Sequence, residues 1–195
     1  YNDCKYIKRD IKKAIYYFNL AANQNYPRAQ YIMGIYYIIG FGVKQNIDKG
    51  INFLIQSSNN GDIDASFAVG SIYHEGKLVD WDKKKAVCFY NEASSFNDQF
   101  AKNNLGIIYK NGNGEDIVKQ IGSAIEYFKE SIRYGNVISM YNLAHLYIYE
   151  DLNIDGRINK AIDLLISSSK QGFSPSIDLL CVALIMKNEF NLEKI

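Results

Sequence analysis

A small residue preceded by a bulky apolar one recurs along the chain. The pairs are Met33-Gly34, Val69-Gly70, Leu105-Gly106 and Leu143-Ala144, at steps of 36, 36 and 38 residues. Each has a tyrosine three residues after its small member (Tyr37, Tyr73, Tyr109, Tyr147) and Ala29, Ala65, Ala101 or Ser139 four residues before its bulky one. A second set keeps the same phase: Ala14, Gly50, Ala86, Ala124 and Ala161 lie 36, 36, 38 and 37 residues apart. Seven residues beyond each stands another small one, Ala21, Ser57, Ala93, Ser131 or Ser168. Eleven beyond stands Asn25, Gly61, Asn97, Gly135 or Gly172. Gly and Asn enter left-handed backbone at least cost, which is what a helix C-cap requires. Self-similarity at such a period marks a helical repeat array.

Each unit reads as helix A, turn, helix B, cap. In the unit around Gly70 the pattern predicts helix A over 64–75, ended by Gly76. The loop KLVDW leads to Asp82, an N-cap for helix B, and Asp10 and Asn46 hold the matching place elsewhere. Helix B carries Val87, Phe89, Tyr90 and Ala93 at helical spacing. Helices approach closely only where side chains are small, so Gly70 and Ala86 are predicted helix contacts, with Tyr73 filling space between units. Neither helix can bury its apolar face alone; stacking units does it.

The spelled-out unit is Ala-x3-(Leu/Val/Met)-Gly-x2-Tyr-x2-Gly-x-(Gly/Leu)-Val-x2-(Asp/Asn)-x3-(Ala/Gly)-x6-(Ala/Ser)-x3-(Gly/Asn), and it runs from about Ile7 to Leu184. It resembles the Sel-one-like repeat, a relative of the tetratricopeptide repeat. The resemblance implies an all-α, right-handed α-α superhelix, a solenoid of Sel-one-like helix pairs with a period of 36–38 residues. One array is expected over 1–195: a partial unit at 1–26 with helix B only, units at 27–62, 63–98, 99–136 and 137–173, and a partial unit at 174–195. Those partial ends suggest a piece of a longer protein. Two units depart from the pattern. NGNGEDIVKQIGSA is two residues longer between its helices, with Ile117 at the Val position and Gln120 at the cap; the next unit has Glu150 for Gly and Arg157 for Asp.

Composition narrows the function. Lys+Arg number 22 against 21 Asp+Glu in 195 residues, which argues against a nucleic-acid binder. Cys4, Cys88 and Cys181 are scattered and read as small apolar fillers on helical faces; no CxxC or His spacing suits a metal. With no Asn-x-Ser sequon, a reducing, cytoplasmic setting is expected. The apolar run YIMGIYYIIGFGV is too short to span a bilayer, so no direct membrane insertion is expected. No signal peptide heads the sequence, but it opens on Tyr rather than Met, which leaves open a leader on an N-terminus that lies before it.

No catalytic constellation emerges. GFGV (40–43) and NGNG (111–114) read as turns, because neither extends to a phosphate-binding motif. His74 and His145 sit at different registers of helix A and read as contact residues. DKKKA (82–86) reads as a solvated first helical turn, and Trp81, in an inter-helix loop, as packing on the neighbouring unit ahead of an exposed anchor for a partner. No cofactor, metal or enzymatic activity is expected.

What the register does offer is a surface. In the related tetratricopeptide fold the concave face, lined by A helices, binds peptides. Carried over by register, the candidate partner-binding residues are Arg28, Tyr31, Ile35, Phe67, Ser71, His74, Asn103, Asn104, Lys110, Tyr141 and His145. Tyr31, Phe67, Asn103 and Tyr141 form an aromatic row broken by one amide, a mixture suited to protein recognition; the register leaves open whether these rings line the groove or belong to the inter-repeat core. The resemblance implies a scaffold or adaptor for another protein or peptide, of the kind that assembles membrane-linked or signalling complexes. The alternative it leaves open is a docking arm of a larger enzyme, such as a kinase.

Overall fold

The computed structural model describes residues 11–112 and 117–192. Cys4, Ile7, Asp10, Asn113, Gly114 and the last three residues of FNLEKI therefore lie outside the described residues. Ten helices and no strand are found among those described: α1 (Ile11–Asn23), α2 (Pro27–Ile39), α3 (Ile47–Asn59), α4 (Ile63–Glu75), α5 (Lys83–Ser95), α6 (Gln99–Asn111), α7 (Ile121–Arg133), α8 (Val137–Tyr149), α9 (Arg157–Lys170) and α10 (Pro175–Leu192). The chain divides into two compact units, Tyr1–Ala93 and Ser94–Ile195, with the boundary in the last turn of α5. Within the first, α1 packs on α2, α2 on α3 and α3 on α4, and α4 meets α5 through ring contacts. Within the second, successive helices from α6 to α10 pack pairwise, and α8 also touches both α6 and α10. In each unit every helix packs on its neighbours in the chain, which makes the fold an all-α solenoid of helix pairs.

The predicted close contacts are where the helices meet. A Cβ built on Gly70 would lie 2.7 and 2.9 Å from the Cδ1 and Cε1 atoms of Tyr90 on α5. One on Gly106 would lie 2.5 and 2.7 Å from the ring of Phe128 on α7. Between α2 and α3 both positions are glycine, and a Cβ on Gly50 would come within 2.7 Å of the Gly34 carbonyl. Ala86, Ala124 and Ala161 are fully buried. Ala14, the matching residue of α1, is exposed; no described helix precedes α1 to cover it.

The repeated tyrosine corrects the expectation for it. Tyr37, Tyr73 and Tyr109 stack inside their own repeats on helix B rings, Phe53, Phe89 and Tyr127, at centroid distances of 5.8, 6.3 and 5.5 Å with planes within 9° of parallel. Their carbonyls also close the A–B turn, accepting from the amides of Asn46 (2.8 Å), Asp82 (3.0 Å) and Gln120 (2.8 Å).

The residues that end each helix B are left-handed as the sequence requires: φ is +63° at Asn25, +91° at Gly61, +66° at Asn97, +91° at Gly135 and +89° at Gly172. The amide after this residue reaches back to the small residue four positions before it, as Asp62 does to the Ser57 carbonyl (3.0 Å) and Phe173 to that of Ser168 (3.2 Å). The same next residue then caps helix A. Asp62, Asp98 and Asn136 accept from the amides of Ala65 (3.0 Å), Ala101 (2.6 Å) and Ser139 (3.1 Å). At α2 this residue is Tyr26, without a capping side chain, and Pro27 follows at the first helical position. At the start of helix B, Asn46 and Asp82 cap through the amides of Lys49 (2.9 Å) and Lys85 (3.0 Å). Buried serines tie the two helices of a repeat: Ser57, Ser131 and Ser168 donate to the carbonyls of Pro27 (2.7 Å), Gln99 (2.6 Å) and Val137 (3.1 Å).

The divergent repeat solves its turn differently. Glu150 is extended at φ −88°, so the usual glycine cap of helix A is missing. The Arg157 guanidinium instead donates to the carbonyls of Tyr147 (3.1 Å), Ile148 (3.3 Å) and Glu150 (2.6 Å). A cation there also suits the helix C-terminal dipole.

The glycine–ring contact carries a stability cost when it is overfilled. Gly106→Ala forces a methyl into the Phe128 ring, a cost of about 1–3 kcal/mol that outweighs the ~1 kcal/mol helix preference of Ala. Gly122 of α7 has nothing within 4 Å of the place an added methyl would take, so Gly122→Ala serves as control. Urea unfolding should show a lowered midpoint for the first and an unchanged or raised one for the second.

Candidate partner-binding faces

In the first compact unit the candidates fall into two groups. Arg28 and Asp64, the same register position of α2 and α4, form an exposed ion pair of 2.6 Å, and the Arg28 guanidinium lies 4.7 Å above the Tyr31 ring. Tyr31 and Ile35 of α2 are half-buried. Phe67, Ser71 and His74 of α4 gather instead around Tyr90, a helix B residue only 1% exposed. The Phe67 ring is 5.7 Å from that of Tyr90, the Tyr90 hydroxyl donates to Ser71 Oγ (3.2 Å), and His74 Nδ1 is 3.4 Å from the same hydroxyl. These three therefore serve the α4–α5 contact as well as the half-exposed face.

In the second compact unit Asn103 departs from the expectation. It is 6% exposed, and its Oδ1 accepts from Ser139 Oγ (2.9 Å) and Asn142 Nδ2 (2.9 Å) on α8. Asn103 is a buried joint between α6 and α8, not a group waiting for a ligand; the amide that breaks the aromatic row is there because this site needs an acceptor. Its Nδ2 donates to Asn104 Oδ1 (3.4 Å). Tyr141 packs edge-on against Phe173 at 5.6 Å, and His145 lies 4.6 Å from the Tyr149 ring. Lys110 Nζ approaches His145 Nδ1 at 3.4 Å.

Other expectations change too. Cys88 and Cys181 are exposed thiols, not apolar fillers. Trp81 is 49% exposed, with Lys83 Nζ 4.9 Å above its ring, while its Cβ lies where a side chain on Gly76 would clash. Asp82 is the expected cap, and the Lys85 amide holds its carboxyl below the ordinary range. Among the described residues no three His, Cys, Asp or Glu side chains converge as metal ligands, and no helix is long and apolar enough to cross a membrane. The serine hydroxyls joining helices A and B are donors that sequence reasoning missed; the alternation of Ala and Ser at that position is the available signal.

An all-α solenoid with this cap and contact pattern defines a class of helical-repeat protein, and comparison with known proteins places the chain within it. The Sel1 repeat model matches residues 5–26, 27–62, 63–95, 99–136 and 137–173, and the chain belongs to the Sel1 repeat family. It is similar to the Sel1 repeat protein of Oxalobacter formigenes, at 26% identity and a TM-score of 0.73, over 87% of this chain and 68% of that one. It is also similar to c5321, a protective antigen of uropathogenic Escherichia coli with an SLR fold, at 25% identity and a TM-score of 0.79. That match covers 88% of this chain and 36% of the antigen. A Sel1 repeat protein of Klebsiella pneumoniae shares the fold at 18% identity, with a TM-score of 0.52 over 90% of this chain and 86% of that one. No curated protein matches the sequence. Sel1 repeat proteins are generally protein-interaction scaffolds and typically non-catalytic.

The two histidines set a pH dependence. Burial pushes each below its ordinary value of 6.5; Lys83 adds to the shift at His74 and Lys110 at His145, while Glu75 and Glu150 oppose it. The unfolded chain thus binds these protons more readily than the folded one. Their contribution is complete above about pH 6.5 and is lost as pH falls from there through the depressed folded values. The urea midpoint should drop as pH falls below about 6.5, and His74→Gln with His145→Gln should flatten that drop.

Proposed function

We propose that the chain is a non-enzymatic scaffold that binds a partner protein or peptide along its helix A faces. The observation that carries this is the half-exposed aromatic side chain at one register position, Tyr31 and Phe67 in the first compact unit and Tyr141 in the second. Aromatic side chains of this kind serve as anchors in protein recognition. Polar neighbours at adjacent register positions, Arg28 with Asp64 in the first compact unit and Lys110 with His145 in the second, supply directional groups beside the anchors. Family membership supports the reading, since interaction is the general role of these repeats. Asn103 is left out of the proposed face because its amide is already engaged.

Site-specific photocrosslinking tests the proposal. A benzophenone amino acid replaces Tyr31 or Tyr141 on helix A, or Tyr17 or Phe96 away from it, in the cells the protein comes from. Adducts to one shared protein from Tyr31 and Tyr141, and none from Tyr17 and Phe96, are expected. Adducts from Tyr17 or Phe96 alone would move the interface off the helix A face.

A further inference from the structure

We propose that Lys110 and His145 form a subsite for the carboxylate of an acidic side chain on the bound partner; this rests on the docking reading above. Four elements meet there. Lys110 is at the end of α6, His145 and Tyr149 are on α8, Lys119 lies in the loop before α7, and Glu150 follows α8. Glu150 is already committed, with both carboxylate oxygens accepting from Lys119 Nζ at 3.0 and 2.9 Å. Lys110, half-withdrawn from water, makes no ion pair with any described residue; its ammonium donates to an imidazole nitrogen 3.4 Å away.

That is an unfavourable state for a cation, and burial accordingly lowers the Lys110 pKa, with Glu150 opposing and Lys119 reinforcing the shift. An ammonium in such a setting gains most from an anion that replaces its lost solvation. Because Lys110 donates to Nδ1, the neutral imidazole holds its proton on Nε2, a second donor of the polarity a carboxylate needs. The local charges also select the ligand. Lys119 and Glu150 cancel and His145 is neutral, so a single positive charge remains; it matches a monoanionic carboxylate better than a dianionic phosphate. The Tyr149 ring, 4.6 Å from that of His145, offers an apolar wall for the methylenes of an acidic side chain.

The chain has only two histidines, so His74 is an internal control for His145 in NMR spectra of the imidazole ring protons and carbons. The full chain is titrated at constant ionic strength with propionate, propionamide, N-acetylglycine and inorganic phosphate. Propionate should shift the His145 signals saturably, with half-saturation at roughly 10–100 mM as expected of one charge-assisted contact, and leave His74 unmoved. Propionamide should do nothing. Lys110→Gln should abolish the response while an unchanged far-ultraviolet circular dichroism spectrum and urea midpoint report an intact fold. No saturable shift across that range, or an equal shift in Lys110→Gln, would overturn the subsite. An equal response to phosphate would reduce it to general anion attraction. A response to N-acetylglycine without one to propionate would replace the acidic side chain by a chain terminus. Propionate tests the subsite without a partner, and crosslinking tests docking without Lys110, so each reading can fail alone.

Discussion

The distance between the two helices of a repeat is set by the smallest side chains that face each other, and the rest of the repeat is built around that distance. Where helix A offers glycine, a ring of helix B occupies the space a methyl would take: Tyr90 over Gly70, Phe128 over Gly106. Between α2 and α3 the ring is replaced by Leu54, and Gly50 lets the backbones themselves close in. In the fourth repeat helix A carries Ala144, and the corresponding helix B residue is Leu165; both are fully buried in one core. Rings face Gly70 and Gly106, while leucine faces Gly34, where Gly50 brings the backbones together, and Ala144, where Ala161 stands in its place; each combination fills the space, as expected of an interior packed near crystal density.

With the helices at that distance, the ends must be closed without leaving polar backbone orphaned. One residue in left-handed conformation ends helix B, and the next begins helix A, so two caps occupy two adjacent positions, as at Gly61-Asp62 and Asn97-Asp98. At the other end the repeated tyrosine does two jobs, stacking on a helix B ring while its carbonyl anchors the cap of helix B. Where Glu150 stands for the helix A glycine, its amide still meets the Leu146 carbonyl, and Arg157 satisfies the Tyr147 carbonyl by a side chain. The turn can change its chemistry because the acceptors, not the loop, are the fixed requirement.

This division explains what is legible in the sequence. Helix limits, left-handed positions and the close contacts follow from single residue types at fixed steps, since only Gly, Asn or Ala fits each role. The helix B ring at Phe53, Phe89 and Tyr127 is less visible because several bulky residues satisfy a stacking contact. The candidate face is legible only in part. A helix A residue beside the small pair can point at the next helix A or at solvent, and period alone does not separate these. Tyr141 keeps a half-exposed place while Asn103, at the same register, is buried by its bonds to Ser139 and Asn142. Likewise Cys88 sits on an exposed surface of α5 that composition does not distinguish from a buried one.

Glycine and ring act as one contact rather than as two independent preferences. A double-mutant cycle on the α4–α5 pair tests this most directly: Gly70→Ala and Tyr90→Leu, singly and together, with unfolding free energies from urea titration. Removing the ring should remove most of the penalty of the added methyl, giving a coupling energy of about 1 kcal/mol or more. If the two changes add to within ~0.5 kcal/mol, this contact does not set the helix separation, and the pairing of small with large residues has another cause.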